Sequence, residues 1–188
     1  MTSKNYRNNK NIDFFKTFSK EIKLIGMDVD GILTDGKIYQ GASSDAQVKA
    51  FNCKDGIGIR LLKKYNFKIA LISGGSGECI TKRAKSLGIE ILEFGVKNKL
   101  DVLIKLQSKY NINANETVFL GDDINDLTVL KKVRIFATPF DGHIACKAKA
   151  HWIGEKLGGK GFVREFTDNL ILGKGLDPYM PLETANDY

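Results

Sequence analysis

Short apolar runs alternate with amphipathic segments along most of the chain. The apolar, β-rich runs predict strands at Lys23–Met27, Lys68–Ile72, Glu90–Glu93, Thr117–Leu120 and Arg134–Ala137. The patterns between them predict helices at Asp55–Tyr65, Gly77–Leu87, Lys99–Tyr110, Asn125–Lys131 and Gly142–Lys149. Strands that alternate with helices are typical of right-handed βαβ units. The order therefore predicts an α/β fold with a parallel sheet flanked by helices.

One segment interrupts this alternation. Residues Leu33–Phe51 show no helical period and contain two extended stretches around Gln40–Ser44, which predicts a β-hairpin. The hairpin leaves the sheet directly after the first strand. Ligands of α/β sheets bind beyond the carboxyl ends of the strands, so we expect this small flap to cover such a site.

The length of 188 residues favours one compact domain. We divide the chain into a basic leader at residues 1–20, expected to be flexible, a folded domain at residues 21–173, and a tail at residues 174–188. The tail contains Gly, Pro and Asp and is expected to be loose.

Composition excludes several classes of protein. The net charge is +7, but six basic and two acidic side chains in residues 1–23 account for +4 of it, and no basic stripe interleaved with aromatics follows. We therefore expect no nucleic-acid partner. No apolar run approaches the roughly 18 residues that span a bilayer, so no membrane association is expected either. Cys53, Cys79 and Cys146 are widely spaced, which favours free thiols in the cytoplasm.

Two carboxylates follow the first predicted strand. Asp28 and Asp30 are two residues apart, and in extended chain such positions project to the same side. The carboxylates would then repel each other, and a divalent cation would compensate them because hard cations prefer oxygen ligands. Two solvated loop acids are the alternative interpretation.

A second acidic cluster follows the strand Thr117–Leu120. Asp122, Asp123 and Asp126 place three carboxylates within five residues. Asp122 can point at the same cation as Asp28. Capping of the next helix by Asp123 or Asn125 is a real alternative, but it explains one acid and not all three.

Two further segments offer groups that bind phosphate. Ser73 and Gly74 begin a Gly/Ser turn between a predicted strand and a helix, where backbone amides bind anions. Lys99 opens another predicted helix and could neutralise both a phosphate and an aspartate. Alone, an ordinary loop and a surface lysine would explain these residues. Their joint occurrence with the acidic clusters, at one edge of the predicted sheet, favours a phosphate site.

In these motifs the chain resembles the haloacid dehalogenase-like hydrolases. Their four motifs match, in order, Asp28-x-Asp30, Ser73, Lys99 and Gly121-Asp122-Asp123-x-x-Asp126. More narrowly, the chain is similar to the phosphatases of 3-deoxy-D-manno-octulosonate 8-phosphate. This match adds Asn52-x-Lys54-Asp55-Gly56-x-Gly58, Gly95-x-x-x-Lys99 and Gly158-Gly159-Lys160-Gly161-Phe162-Val163-Arg164-Glu165. The resemblance covers about residues 22–173 and implies a Rossmann-like sheet without a large cap domain.

The resemblance implies a role for each acidic residue. Asp28 is then the nucleophile that attacks phosphorus, giving an aspartyl phosphate. Asp30 is the general acid for the leaving alcohol and then the base for water. Mg²⁺ is held by Asp28, the backbone carbonyl of Asp30 and Asp122, with Asp123 or Asp126 in support.

It also implies how the substrate is held. Ser73, with the adjacent Gly74, and Lys99 bind the phosphoryl oxygens of a small phosphorylated sugar acid. Members of the family form homotetramers in which the C-terminal segment reaches an adjacent active site. Arg164 would then meet the substrate from another subunit. An ion pair of Arg164 with Glu165 or Asp168 stays equally open.

The chain departs from the family at Gly75, where a larger residue, often arginine, is usual. This departure affects the substrate more than the chemistry. The family role is synthesis of a lipopolysaccharide precursor, and an N-acylneuraminate 9-phosphate phosphatase is the alternative enzyme. A non-catalytic assembly subunit is a third candidate, disfavoured because Asp28, Asp30 and Asp122 all remain. A response-regulator receiver is excluded, since Ser73 stands where an acceptor aspartate would follow the strand.

Overall fold

The computed structural model describes residues 9–40 and 47–182. The strands in these ranges are β1 (Leu24–Met27), β2 (Tyr39–Gln40), β3 (Gln47–Val48), β4 (Lys68–Ile72), β5 (Ile91–Glu93), β6 (Thr117–Leu120), β7 (Ile135–Thr138) and β8 (Trp152–Ile153). Six of them form one parallel sheet in the order β5-β4-β1-β6-β7-β8. The predicted α/β, Rossmann-like architecture is confirmed.

Helices cover both faces of this sheet. They are α1 (Asn9–Phe18), α2 (Cys53–Lys64), α3 (Glu78–Ser86), α4 (Lys99–Tyr110), α5 (Ile144–Lys149) and α6 (Phe162–Gly173), with 3₁₀ helices at Ala114–Glu116 and Ile124–Lys132. Side chains alternate along β1, so Ile25 and Met27 join the core under α1, α2, α3 and α6. Leu24 joins the opposite core under α4 and α5. β1 is buried on both sides, as a central parallel strand must be.

The prediction of a flexible leader is wrong for residues 9–18, which form α1. Phe14, Phe15 and Phe18 recur at helical spacing and give the helix an apolar face. Phe15 is fully buried, and its ring packs edge-on against Trp152 and Phe166. Burial of these rings orders a segment whose charge alone suggested a solvated tail. Residues 1–8 lie outside the described part of the chain.

The predicted hairpin is present. β2 pairs antiparallel with β3, with Tyr39 opposite Val48, as a separate two-stranded sheet. Its predicted turn falls on residues 41–46, which lie outside the described residues. Residues 28–52 separate β1 from α2, and this segment is too short for a large cap domain. The hairpin therefore stands next to the carboxyl end of β1, as expected.

Local differences from the sequence prediction concern short or unusual elements. The helix predicted at Asn125–Lys131 is a 3₁₀ helix, Ile124–Lys132. β8 has only two residues, and α6 follows Gly161, a glycine with positive φ that offers no side-chain cap. The sequence prediction included neither element, although Phe162, Phe166 and Leu170 recur at helical spacing along α6. Among the described helices, none combines the length and the apolar character that crossing a membrane would require.

Candidate active site

Three strand ends bring the predicted site residues together. β1 pairs in register with β4 and β6, with Met27 opposite both Leu71 and Leu120. Asp28 continues this alignment, since its amide donates to the carbonyl of Leu120 at 3.0 Å. The residues that follow the three strands, Ser73 and Asp122 among them, therefore meet Asp28 at one edge of the sheet.

Lys99 lies at the centre of the site. It is the first residue of α4, and its ammonium lies 2.6 Å from Asp28 Oδ2 and 2.5 Å from Asp126 Oδ1. Burial by itself favours the neutral amine, but the charges of Asp126 and Asp28 outweigh it and raise the pKa of Lys99. The lysine thus stays charged and joins two buried carboxylates from different loops.

The donor set fits a divalent cation. One carboxylate oxygen from each of Asp28, Asp122 and Asp126 lies within 4.8 Å of the others. Burial and the neighbouring charges of Asp126, Asp28 and Asp123 raise the pKa of Asp122 to about 8, although Lys99 opposes them. This cluster has more negative charge than Lys99 balances. A bound cation would reverse the shift, and all the donors are hard oxygen ligands.

Asp126 accepts more hydrogen bonds within the protein than Asp28, whose Oδ1 accepts from the amide of Val29 and whose Oδ2 contacts Lys99. Asp126 is fully buried, and its Oδ1 accepts from Lys99 while its Oδ2 accepts from the amides of Asp122 and Asp123 at 3.0 and 3.2 Å. Burial and the charge of Asp28 raise the pKa of Asp126, against the effect of Lys99. Asp126 is thus held by three protein donors and does not line the cavity, whereas Asp28 and Asp122 do, which suits a supporting position for Asp126.

The capping alternative for the second acidic cluster is partly realised. Asp123 is the N-cap of the 3₁₀ helix Ile124–Lys132, and its Oδ1 accepts from the amide of Ile124 at 2.7 Å. Asp126 completes the reciprocal capping box. Capping thus explains the exposed Asp123 and one oxygen of Asp126. It leaves Asp122 as the acid of this loop that faces Asp28.

Asp30 is held on one side by two donors. Its Oδ1 accepts from the hydroxyl of Thr34 at 3.0 Å and from the ammonium of Lys49, which directly follows β3. Sequence reasoning did not single out Lys49. Its position in an extended segment of the predicted flap was a weak signal among 29 basic residues. The structure therefore adds a lysine from the hairpin to the predicted site.

The Gly/Ser turn forms one wall of the site. Ser73 is buried, and its Oγ accepts from the amide of Gly75 at 3.2 Å. A β-carbon at Gly75 would lie 3.5 Å from Asp30 Oδ2. Together these residues enclose a cavity of about 290 Å³ lined by Asp28, Asp30, Gly31, Gly36, Ser73, Gly74, Gly75, Asp122, Asp123 and Asn125.

A larger cavity of about 410 Å³ opens at the other end of the sheet. Its lining includes Lys68 and Ile69 at the start of β4 and Ile91 at the start of β5. It is remote from the clustered carboxylates and from the carboxyl edge, where α/β sheets bind ligands. The smaller cavity, which holds the charged groups, is therefore the candidate active site.

The segment 158–165 packs through backbone contacts on the loop that follows β1, residues 28–36, which we call the catalytic loop. The amide of Gly159 donates to the carbonyl of Ile32 at 2.9 Å, and a β-carbon at Gly158 would overlap the carbonyl oxygen of Gly31. Asp55 anchors the following turn, since its carboxylate accepts from the amides of Gly161 and Arg164. The close backbone contacts fit glycine at positions 158 and 159.

Arg164 lies in an ion pair within this chain. Its Nε lies 2.7 Å from Asp168 Oδ1, one turn along α6, and both side chains are about one quarter exposed, at 25% and 27%. This is one of the two partners that the sequence left open. The predicted contact of Arg164 with substrate in another subunit stays a prediction.

Comparisons with known proteins agree with this geometry. The family model of the haloacid dehalogenase-like hydrolases matches residues 58–134. The chain is 36% identical over 159 residues to a 3-deoxy-D-manno-octulosonate 8-phosphate phosphatase of Salmonella typhi, covering 85% of this chain and 84% of that protein. The phosphatase of the same name from Escherichia coli K12 is 36% identical over 157 residues, covering 84% of this chain and 83% of the relative.

Solved structures give the same result. The fold is similar to that of the 3-deoxy-D-manno-octulosonate 8-phosphate phosphatase from Yersinia pestis, with a TM-score of 0.84, 33% identity, and coverage of 87% of this chain and 88% of that chain. It is also similar to the Moraxella catarrhalis phosphatase of that name in complex with a magnesium ion, a phosphate ion and a KDO molecule. The TM-score there is 0.82, with 32% identity and coverage of 90% and 94%.

Proposed function

Because the chain belongs to the haloacid dehalogenase-like hydrolases, in the family of the 3-deoxy-D-manno-octulosonate 8-phosphate phosphatases, we propose that it hydrolyses this phosphomonoester with the help of Mg²⁺. One observation carries the proposal. Three acids of the family motifs and their lysine converge at one edge of the sheet, within hydrogen-bonding or metal-binding reach of one another: Asp28, Asp122, Asp126 and Lys99.

In the first half-reaction, a carboxylate oxygen of Asp28 attacks phosphorus and forms the acyl-phosphate bond. The bond from phosphorus to the sugar oxygen breaks at the same time, and Asp30 gives its proton to that leaving oxygen. The products are a phosphorylated Asp28, an ionised Asp30 and the free sugar acid. Both residues line the same cavity, so Asp28 can meet phosphorus while Asp30 meets the leaving oxygen.

In the second half-reaction, Asp30 takes a proton from water, whose oxygen attacks phosphorus. The acyl-phosphate bond breaks, which releases inorganic phosphate and returns Asp28 to its ionised form. Asp30 is then protonated and ready for the next substrate. One carboxyl group thus acts first as acid and then as base, and atoms and protons balance over the cycle.

Mg²⁺ suits the carboxylate oxygens gathered at this edge of the sheet. Asp28 and Asp122 would hold it with the backbone carbonyl of Asp30, and it would supply charge neutralisation between the anionic nucleophile and the anionic phosphate. Asp126 keeps both oxygens in protein hydrogen bonds and so orients the amides of Asp122 and Asp123. Asp123 supports the loop as a helix cap.

Phosphate binding falls to the cationic and amide donors. Lys99 lies beside Asp28 and is charged, so it would neutralise oxygens of the phosphoryl group during transfer. Ser73 and the amides around Gly74 line the same cavity and would donate to the remaining oxygens. Ser73 and Gly74 have these roles because they line the cavity, and Lys99 because it contacts Asp28, which also lines it.

The sugar acid is the less constrained part of the proposal. The relatives named above are phosphatases of 3-deoxy-D-manno-octulosonate 8-phosphate, which favours the eight-carbon substrate. Gly75 presents only backbone where the family usually carries a larger residue, and a side chain there would project beside Asp30. This difference is the reason to include the nine-carbon N-acetylneuraminate 9-phosphate as a competitor.

The family resemblance also supports a homotetramer in the cytoplasm. A tetramer would place Arg164 and the C-terminal segment near an adjacent site. Cys53, Cys79 and Cys146 are free thiols, which agrees with a reducing compartment.

The test measures phosphate release from both sugar-acid phosphates, with and without Mg²⁺. We expect turnover that needs Mg²⁺, with kcat/KM higher for the octulosonate. A higher kcat/KM for the nine-carbon substrate would keep the chemistry and overturn the substrate. Absence of turnover of either substrate would overturn the proposed function and favour an assembly role.

A further inference from the structure

A buried lysine from the hairpin touches the carboxylate of Asp30. The side chain of Lys49 is only 4% exposed, whereas that of Asp30 is 35% exposed. A buried ammonium is costly without a partner, and the partner here is Asp30 Oδ1. Lys49 lies 19 residues after Asp30, so the contact joins the flap to the catalytic loop. The four family motifs do not contain this lysine.

Lys49 shares its acceptor atom with a second donor. The hydroxyl of Thr34 donates to the same Oδ1 at 3.0 Å. A carboxylate oxygen offers two lone pairs, so the two donors fill the hydrogen-bonding capacity of Oδ1. A transferable proton then belongs on Oδ2. That oxygen faces the Gly/Ser turn, since a β-carbon at Gly75 would lie 3.5 Å from it.

We infer that Lys49 is a positioning residue for Asp30, which with Thr34 holds Oδ1 and directs Oδ2, the proton-carrying oxygen, into the substrate cavity. This inference rests on the proposed function, because it assigns Asp30 the proton transfer. It gives the hairpin a defined task. Formation of the Lys49–Asp30 pair requires the strand that ends at Val48 to lie against the site.

The inference predicts a dependence on the leaving group. A poor leaving group needs the proton of Asp30, whereas p-nitrophenolate leaves without much help. The experiment therefore compares phenyl phosphate with p-nitrophenyl phosphate, using kcat/KM, which reports the first half-reaction. Lys49→Met should lower kcat/KM for phenyl phosphate by about 10–100-fold, which is less than the roughly 100–10,000-fold of full general acid catalysis because Asp30 itself remains. It should change the p-nitrophenyl value by less than about threefold.

Three further variants make the result specific. In the Asp30→Asn background, Lys49→Met should have no additional effect on phenyl phosphate, because it acts through Asp30. Lys37→Met is the matched control. Lys37 lies just before β2, the other strand of the hairpin, and its side chain is 67% exposed. It should leave both substrates unchanged. Lys49→Gln, which keeps a donor, should retain more activity than Lys49→Met and serves in the same cycle if Lys49→Met does not fold.

The outcomes separate the two proposals. Equal losses on both aryl phosphates, or losses that add to those of Asp30→Asn, would overturn the role of Lys49. If the wild-type enzyme hydrolyses aryl phosphates but neither sugar-acid phosphate, the proposed substrate fails while the test of Lys49 stands. If the wild-type enzyme hydrolyses no phosphomonoester, the proposed function and the inference fall together.

Discussion

Lys99 donates to the carboxylate of Asp28 at 2.6 Å, with only 2% of the lysine side chain exposed. The same ammonium also lies 2.5 Å from Asp126. Lys99→Met would leave two buried carboxylates without their cation. We expect a destabilisation of about 3–5 kcal/mol, the usual cost of breaking a buried ion pair from one side. Urea denaturation at neutral pH without Mg²⁺ measures it.

Lys105 on the same helix provides the control. It is exposed, so Lys105→Met removes the same charge from α4 without touching the site. We expect its free energy of unfolding to stay within about 0.5 kcal/mol of wild type. Equal effects of the two substitutions would contradict the central position of Lys99.

Asp122 is expected to link stability to Mg²⁺ and to pH. In the metal-free protein its pKa is raised from 3.8 to about 8, so the folded state binds the proton more tightly than the unfolded state. Its contribution to stability is therefore present at low pH and is lost as pH rises towards about 8. Asp122→Asn should remove this loss and raise the melting temperature of the metal-free protein at pH 8.

Mg²⁺ provides the second half of that comparison. The ion should raise the melting temperature of the wild-type protein, since it binds the folded state, and should raise that of Asp122→Asn much less. A full Mg²⁺-dependent increase in Asp122→Asn would show that Asp122 is not a ligand. Differential scanning fluorimetry over a Mg²⁺ titration gives both results.

Substitutions of Gly31 and Gly175 distinguish the cost of backbone strain from the cost of a clash with the metal site. Its φ is +77°, and a β-carbon there would overlap the carboxylate of Asp122. Gly175 has a similar φ of +74°, but no atom lies within 4 Å of its β-carbon position. Gly175→Ala should therefore cost about 1–2 kcal/mol from backbone strain alone. Gly31→Ala should cost more and weaken Mg²⁺ binding, measured by calorimetry. Equal destabilisation with unchanged Mg²⁺ affinity would contradict this assignment.

Asp55 is expected to stabilise the protein from outside the cavity. It is 1% exposed, and its two oxygens accept from the amides of Gly161 and Arg164 at 3.1 and 2.9 Å. Asp55→Asn turns an NH₂ group towards one of these amides. We expect a loss of about 1.5–3 kcal/mol, the value of hydrogen bonds to a charged group.

Asp168→Asn is the matched control for Asp55. It alters the partly exposed i, i+4 pair with Arg164 on the same helix and should cost less than about 1 kcal/mol. Chemical denaturation ranks the two variants. A larger loss of unfolding free energy in Asp168→Asn than in Asp55→Asn would contradict this prediction.

Strongly periodic elements were predictable from sequence. β4, β6 and α4 have the predicted bounds because an apolar run or a capping residue marks each end. The order of motifs along parallel strands was enough to place Asp28, Ser73 and Asp122 at one edge. The candidate site could therefore be predicted from the types of these residues and from their positions just after strands.

Contacts between distant segments were not predictable. Nothing in the local pattern says that Lys49 reaches Asp30 or that Asp55 holds the start of α6. Each depends on how the hairpin or the C-terminal segment packs. The basic charge around residues 9–18 was misleading for the same reason, because the burial of Phe15 holds that segment against the domain as a helix.

The most direct test of nucleophilic catalysis by Asp28 is to trap the phosphorylated enzyme. Wild-type protein is mixed with Mg²⁺ and 3-deoxy-D-manno-octulosonate 8-phosphate, quenched in acid during turnover, digested and analysed by mass spectrometry. We expect phosphate on the peptide of the wild-type protein that contains Asp28. The Asp28→Asn variant should give neither this phosphopeptide nor turnover. Turnover that survives in Asp28→Asn would contradict nucleophilic catalysis by Asp28.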